Sequence, residues 1–225
     1  MITLTRQGPV FVLAMQAGEN RFNRSFVTAL SGALDEVEGR GGPTALVTVG
    51  ADKFYSNGLD LDWLTGAGAA EGPGFIPDFL ALLGRFLALP VPTAAAINGH
   101  AFAGGGMFAL THDFRVMRAD RGFFCLPEID LGMALAPGMN ALITGKLPTR
   151  VATDLLLTGR RIGGEEALAL GVVDEAVSAD QVLPRAIARV EPLAAKDRGT
   201  YRALKRGLFG AAAALLKEGT LKPPP

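Results

Sequence analysis

The alternation of short apolar runs with amphipathic helices restricts the fold of this chain more than any other feature of its sequence. Buried strands are predicted at residues 45–49 and 93–97, and Asn23 is a plausible N-cap for a helix before the first of them. Strands that alternate with helices predict an α/β core, which we place at residues 1–178. Residues 179–225 are expected to form a C-terminal helical region, whose apolar face could make oligomer contacts.

Composition and charge exclude several classes of protein. The 225 residues are 49% hydrophobic and 20% charged, as in soluble globular enzymes, and their formal net charge is zero. We therefore expect no general attraction to nucleic acid or to an anionic membrane. No apolar run reaches the ~20 residues that a membrane-spanning helix needs. Because no signal peptide is apparent and Pro223–Pro225 is not a peroxisomal tripeptide, we expect a cytoplasmic protein.

Two glycine-centred loops are candidates for binding a polarised oxygen. The first loop covers residues 54–60 (FYSNGLD) and the second covers residues 98–106 (NGHAFAGGG). Glycine lets the backbone approach a ligand closely because no Cβ stands in the way. Two such loops can aim two backbone N–H groups at one oxygen and stabilise an enolate or oxyanion. The triplet Gly104–Gly106 could equally serve only to pack a helix against a strand.

Glu128 is the candidate acid–base residue. It follows Pro127 at the end of an apolar stretch, and burial there would raise its pKa and let it act as a base and then as an acid. An exposed loop glutamate is the alternative interpretation. No serine lies in a G-x-S-x-G motif, and neither His100 nor His112 has further metal-binding residues beside it, so no nucleophile and no metal site are predicted. The residues alone thus indicate proton transfer next to a carbonyl.

Several motifs in a fixed order resemble the enoyl-CoA hydratase/isomerase (crotonase) superfamily. They are the two loops, PEIDLG at residues 127–132, LTGRRI at 157–162 and EALALGVVD at 166–174. The resemblance implies a crotonase-like spiral ββα core. It also implies an acyl-CoA thioester as substrate, with coenzyme A as part of that substrate and no separate cofactor. The expected assembly is a homotrimer or a hexamer.

The resemblance also implies roles for individual residues. The thioester oxygen would accept hydrogen bonds from the N–H groups of Leu59 and Gly105, and Glu128 would move the proton. The other expected substrate and CoA contacts come from the first loop, a preceding segment and the pocket walls: Arg21, Phe22, Asn23, Arg24, Lys53, Ser56, Asn57, Gly58, Asp60, Leu61, Phe102, Met107, Phe108, Leu131 and Pro137.

One departure from the family pattern favours a particular reaction. Hydratases carry one glutamate two positions after the glycine triplet and another twenty residues later, and here these positions hold Phe108 and Glu128. Phe108 cannot activate water, whereas a single carboxylate can still shuttle a proton. The pattern resembles the compact Δ3,Δ2-enoyl-CoA isomerases of fatty acid β-oxidation, and Phe108→Glu is predicted to introduce hydratase activity. A hydratase, another acyl-CoA reaction and a non-catalytic acyl-CoA-binding subunit stay open as alternatives.

Overall fold

The computed structural model describes residues 1–219, which form two parallel-rich sheets and surrounding helices. The strands are β1 (Ile2–Gln7), β2 (Val10–Met15), β3 (Ala45–Val49), β4 (Phe54–Ser56), β5 (Thr93–Ile97), β6 (His100–Phe102), β7 (Phe114–Arg118), β8 (Phe124–Cys125) and β9 (Glu175–Val177). The helices are α1 (Arg24–Gly39), α2 (Leu61–Thr65), α3 (Gly72–Ala88), α4 (Gly104–Leu110), α5 (Pro137–Lys146), α6 (Thr149–Thr158), α7 (Gly164–Ala169), α8 (Val182–Val190) and α9 (Arg198–Glu218).

The chain winds as a repeated strand–strand–helix unit. The six-stranded sheet has the order β1-β2-β3-β5-β7-β9, and the three-stranded sheet has the order β4-β6-β8. Strands β1 and β2 are antiparallel, and every other pairing is parallel. The pairs β3–β4, β5–β6 and β7–β8 therefore each add one strand to each sheet before the chain continues into helices. This is the expected spiral ββα core, and the fold-class prediction is confirmed.

Both faces of the large sheet are buried, because alternate residues of its strands enter two different apolar clusters. In β5, Ala95 and Ile97 join the main core, whereas Ala94 and Ala96 face the cluster that includes Val182 of α8. The two faces thus hold different layers, with α8 covering one and the larger group of helices covering the other.

The C-terminal helix α9 packs back onto α3 and α5 of the same chain. A Cβ built on Gly84 of α3 would lie 3.1 Å from the Ala213 carbonyl oxygen, and one on Gly138 of α5 would lie 2.6 Å from the Leu216 nitrogen. The helices approach this closely because glycine stands at both crossing points. Whether α9 also makes oligomer contacts, as the sequence predicts for residues 179–225, stays a prediction; Pro223–Pro225 lies outside the described residues.

Element boundaries agree with the sequence prediction where caps are clear. Asn23 caps α1, its side-chain oxygen accepting a hydrogen bond from the Phe26 N–H at 3.1 Å. The sequence also predicts a helix over residues 77–89, but α3 begins five residues earlier, at Gly72, because Pro73 supplies a favourable first turn. Within residues 1–219, no helix combines the length and apolar character needed to cross a membrane.

Candidate active site

The two glycine loops meet at the ends of the small-sheet strands. A Cβ on Gly58 would lie 2.9 Å from the Phe102 carbonyl oxygen and 3.1 Å from the Gly104 nitrogen. A Cβ on Gly105 would lie 2.3 Å from the Ser56 carbonyl oxygen. Gly58 also has φ +81°, which residues with a Cβ rarely adopt. The two loops are thus in close contact, and this contact requires glycine at both positions.

The backbone amides of Leu59 and Gly105 both lie at this junction. Phe22 pairs with the neighbours of Leu59: its N–H donates to the Gly58 carbonyl oxygen at 2.8 Å, and its carbonyl oxygen accepts from the Asp60 N–H at 2.9 Å. The Leu59 N–H takes no part in this pairing and donates no hydrogen bond within residues 1–219. The Gly105 N–H lies in the first turn of α4, where amides have no partner inside the helix.

The residue before α4 has a strained backbone. Ala103 has φ +50° and ψ −123°, a conformation that costs a residue with a Cβ on the order of 1–3 kcal/mol. Ala103 lines a cavity together with its neighbours Phe102 and Gly104. The strain is therefore located where the second loop turns into the helix that carries Gly105.

Glu128 lies in the wall of this cavity, which has a volume of about 480 Å³. Glu128 is only 7% exposed, and its Oε2 atom has no hydrogen-bond partner among residues 1–219. Burial raises the pKa of the Glu128 carboxyl above its ordinary value. A desolvated carboxylate with a free oxygen is suited to take a proton from a ligand and return it.

Most of the cavity wall is apolar. Its apolar side chains come from the loops, α3, α4, α5 and the segment after Glu128: Leu59, Leu61, Ile76, Phe79, Phe102, Met107, Leu131, Met133, Leu135 and Met139. The residues from α3 and α5 were not predicted as site residues. Their periodicity identifies them as apolar helix positions, but periodicity does not tell which of them face a cavity and which face the core.

Polar residues of the first loop and its neighbours line one part of the cavity. Arg21 pairs with Glu19 at 2.7 Å and with Asp62 at 2.8 Å, and the Asn57 amide donates to Glu19 at 2.7 Å. Arg21, Asn57 and Asp62 line the cavity, as does the predicted residue Leu61. These side chains form a charged and hydrogen-bonding border to an otherwise apolar space.

Several predicted contact residues instead support the loops. The Ser56 hydroxyl is buried and donates to the Asn20 carbonyl oxygen at 2.7 Å. Asp60 caps α2 by accepting from the Trp63 N–H at 3.1 Å. The Phe22 side chain has no exposed surface and belongs to the main core, so the contact of this segment with CoA stays a prediction that its side chain does not support.

Phe108 does not form a wall of the cavity. It is fully buried, with ring centroids 4.7 Å from Phe86, 5.2 Å from His112 and 5.6 Å from Phe22. Met107, one residue earlier on α4, faces the cavity instead. The prediction of Phe108 as a substrate contact is therefore corrected: its side chain packs in the core behind the site.

The described part of the chain offers no evident metal centre. Within residues 1–219, no group of three or more histidine, cysteine, aspartate or glutamate side chains is placed to hold a metal ion.

Comparison with known proteins identifies the family. The family model for enoyl-CoA hydratase/isomerase matches residues 5–220. The chain is 36% identical over 219 residues to enoyl-CoA delta isomerase 3 of Arabidopsis thaliana, covering 93% of this chain and 92% of that protein. It is 34% identical over 188 residues to carnitinyl-CoA dehydratase of Salmonella typhimurium, covering 81% of this chain and 70% of that protein.

Solved structures show the same architecture. An enoyl-CoA isomerase structure from Mycobacterium tuberculosis superposes with a TM-score of 0.87 at 26% identity, covering 97% of this chain and 95% of that chain. An enoyl-CoA hydratase from Mycobacterium ulcerans gives a TM-score of 0.89 at 26% identity, with coverages of 97% and 95%. From the family match, the sequence relatives and the shared fold, we conclude that this chain belongs to the enoyl-CoA hydratase/isomerase family.

Proposed function

We propose that the protein is a Δ3,Δ2-enoyl-CoA isomerase, which converts a 3-enoyl-CoA into the conjugated 2-trans-enoyl-CoA of fatty acid β-oxidation. The observation that carries the proposal is the single buried carboxylate of Glu128, which has a free oxygen and faces an apolar cavity beside the glycine loops. Relatives named enoyl-CoA delta isomerases, at 30–36% identity, support the same reaction class.

In the proposed mechanism, the thioester oxygen accepts hydrogen bonds from the N–H groups of Leu59 and Gly105. Glu128 removes a proton from C2, and the resulting dienolate is held by the two amides. Each such donor typically contributes ~3 kcal/mol in the transition state. Protonated Glu128 then delivers the proton to C4, which completes the shift of the double bond. The raised pKa of Glu128 makes its carboxylate a stronger base for the removal of the C2 proton.

The composition of the cavity argues against hydration as the main reaction. Adding water requires a second group that positions and activates the water molecule. Asp62 is the other carboxylate in the cavity lining, but its side chain is 88% exposed and paired with Arg21. The space around Glu128 is otherwise apolar and disfavours bound water. A silent acyl-CoA-binding subunit would not need an unpaired buried carboxylate, whose desolvation is costly.

The proposal extends to the rest of the substrate and to the assembly. Coenzyme A enters as part of the substrate, and Arg21, Asn57 and Leu61 border the cavity where its proximal part would lie. On the family resemblance we expect a homotrimer or hexamer. A cytoplasmic location also stays a prediction; two of the plant relatives are named as peroxisomal.

The decisive test is the ultraviolet absorbance change when the protein is mixed with trans-3-hexenoyl-CoA. Wild-type protein should produce the absorbance of a conjugated 2-enoyl thioester, and Glu128→Gln should lower kcat/KM by roughly 10²–10⁴-fold because the acid–base group is lost.

Below the raised pKa of Glu128 the base is protonated, so wild-type kcat/KM should also fall as the pH is lowered.

Asp130→Asn is the matched control, since it removes a carboxylate from the same segment outside the cavity lining. It should retain activity. A Glu128→Gln variant with undiminished turnover would refute Glu128 as the base. A flat trace from wild-type protein that still binds CoA would refute the isomerase assignment itself.

A further inference from the structure

A second cavity lies between the C-terminal end of α5 and helix α9. Its volume is about 300 Å³, and it shares no lining residue with the cavity beside Glu128. Its lining combines two lysines and an aspartate with apolar and aromatic side chains: Asp113, Lys146, Tyr201, Leu204, Lys205, Leu208 and Phe209. Leu208 is 73% exposed, so the cavity is accessible from solvent on this side.

The two lysines of this cavity differ in their bonding. Lys205 is 4% exposed, and its Nζ lies 2.9 Å from Asp113 Oδ1, 2.8 Å from the Leu89 carbonyl oxygen and 3.2 Å from the Val91 carbonyl oxygen. These three acceptors engage all three of its protons. Lys205 is therefore a fixed ammonium ion with a structural role.

Lys146 has a weaker set of partners. Its Nζ donates to the His112 carbonyl oxygen at 2.9 Å and lies 4.0 Å from the centroid of the Phe209 ring. Within residues 1–219 it forms no ion pair with a carboxylate. The amine thus lies in the cavity wall, and the His112 carbonyl oxygen is its one hydrogen-bond acceptor among residues 1–219.

The surroundings of Lys146 favour its neutral form. Burial is the main cause, and the positive charges of Arg115 and Lys205 add to it, whereas Asp113 and Asp174 act in the opposite direction. Together they lower the pKa of Lys146 to about 7. A neutral amine beside an apolar surface is a nucleophile, and lysines activated by desolvation serve this role in enzymes.

We propose that Lys146 is a site at which the protein acylates itself with acyl-CoA thioesters, an inference that rests on the proposed function for the supply of that thioester. The neutral Nζ attacks the thioester carbonyl carbon, so that a C–N bond forms and the C–S bond breaks. Coenzyme A leaves as a thiolate and takes up the proton that the nitrogen loses, giving an amide and free CoA thiol. Leu204, Leu208 and Phe209 provide the surface for the acyl chain.

The expected selectivity follows from the fraction of neutral amine. A lysine with the ordinary pKa of ~10.4 is about one part in a thousand neutral near pH 7.4, whereas half or more of Lys146 is neutral. A lower pKa also weakens a nucleophile, as documented for thiols, and offsets part of this gain. We therefore expect acylation of Lys146 to be roughly tenfold or more faster than acylation of exposed lysines.

The test incubates the full chain with hexanoyl-CoA, which has no double bond to shift, and follows each lysine by peptide mass spectrometry. The exposed residues Lys196 and Lys217 serve as internal references in the same sample. The rate at Lys146 should level off above about pH 7–8, whereas the rates at lysines of ordinary basicity should keep rising toward pH 10. Equal rates at Lys146 and the two references would overturn the proposal.

Variants separate this inference from the proposed function. Lys146→Arg should abolish the modification at residue 146 and retain isomerase turnover. Glu128→Gln should lose turnover and retain acylation at Lys146.

Leu208→Asn should slow hexanoylation more than acetylation by acetyl-CoA, because the acyl surface is reduced; equal slowing would refute the placement of the acyl chain on this surface. If wild-type protein acylates Lys146 without isomerase activity, the proposed function fails and this inference stands.

Discussion

At the scale of single residues, the burial of Glu128 serves the proposed chemistry and costs stability. Folding raises the pKa of the Glu128 carboxyl, so the folded protein loses stability as the pH rises from the ordinary pKa of a glutamate through this raised pKa. The reason is that the ionised form is better solvated in the unfolded chain. Glu128→Gln should therefore be at least as stable as wild type at neutral pH. This makes loss of turnover in that variant attributable to the missing base.

Phe108 supports the site from behind, and its replacement tests this placement. Phe108→Glu would put an unpaired charge among Phe22, Phe86 and His112. We expect it to lower the free energy of unfolding by about 3 kcal/mol or more, whereas Phe108→Leu should cost roughly 1–2 kcal/mol. Urea unfolding measures both changes.

This expectation replaces the gain of hydratase activity that the sequence predicts for Phe108→Glu. A stable Phe108→Glu variant that hydrates 2-enoyl-CoA would show that position 108 reaches the substrate. Spacing from the glycine triplet identifies the position that aligns with the hydratase glutamate, but successive helix residues point ~100° apart. Whether residue 107 or residue 108 faces the cavity depends on how α4 is rotated, which the sequence does not determine.

At the scale of elements, contacts between helices depend on a few glycines. Gly84 of α3 and Gly138 of α5 allow α9 to approach their backbones, and neither has a positive φ. Their role is therefore close packing and not an unusual backbone conformation. Gly145, also in α5, has no atom of another described element within 4 Å of its Cβ position and provides a comparison within the same helix.

Gly138→Ala and Gly145→Ala should consequently have opposite effects. The first places a methyl group 2.6 Å from the Leu216 nitrogen, and we expect it to destabilise the protein by about 1–3 kcal/mol. The second should stabilise by up to ~1 kcal/mol, since alanine is the better helix former. Thermal unfolding followed by circular dichroism compares the stability of the two variants with that of wild type. A Gly138→Ala variant as stable as wild type would contradict the close contact of α5 with α9.

Elements with strong local signals are predictable, and elements defined by tertiary contacts are not. The apolar runs at 45–49 and 93–97 coincide with β3 and β5, and Asn23 caps α1 as expected. The first turn of α3 was missed because its glycines and Pro73 read as a loop. The pairing of β4, β6 and β8 into a separate sheet was not predicted, because short strands carry no signal for their partners.

At the scale of the whole molecule, a buried polar network connects the large sheet with α4 and the loop after it. Thr48 lies 2.8 Å from the Tyr55 hydroxyl and 2.9 Å from His112 Nε2. His112 Nδ1 lies 3.0 Å from the Phe108 carbonyl oxygen. Complete burial lowers the pKa of His112 to about 3, so the imidazole is neutral in the folded protein.

The neutral state of His112 makes global stability depend on pH. The unfolded chain binds a proton at His112 below pH ~6.5, and the folded protein does so only near pH 3. The contribution of neutral His112 to the free energy of unfolding is therefore complete above pH ~6.5. As the pH falls below this value the free energy of unfolding decreases, with a slope approaching ~1.4 kcal/mol per pH unit. Urea unfolding between pH 7 and pH 5 should show this slope in wild type and a flatter one in His112→Asn. Parallel curves for the two proteins would contradict the buried neutral imidazole.

The contacts of α9 also have a consequence for altering the enzyme in the laboratory. Ile76 and Phe79 of α3 and Met139 of α5 shape the cavity beside Glu128, and both helices rest on α9 through Gly84 and Gly138. The dimensions of the cavity are therefore set partly by a helix that contributes no residue to the cavity lining. Directed evolution toward longer or shorter acyl chains should randomise the α9 face opposite these glycines, and not only the side chains that line the cavity.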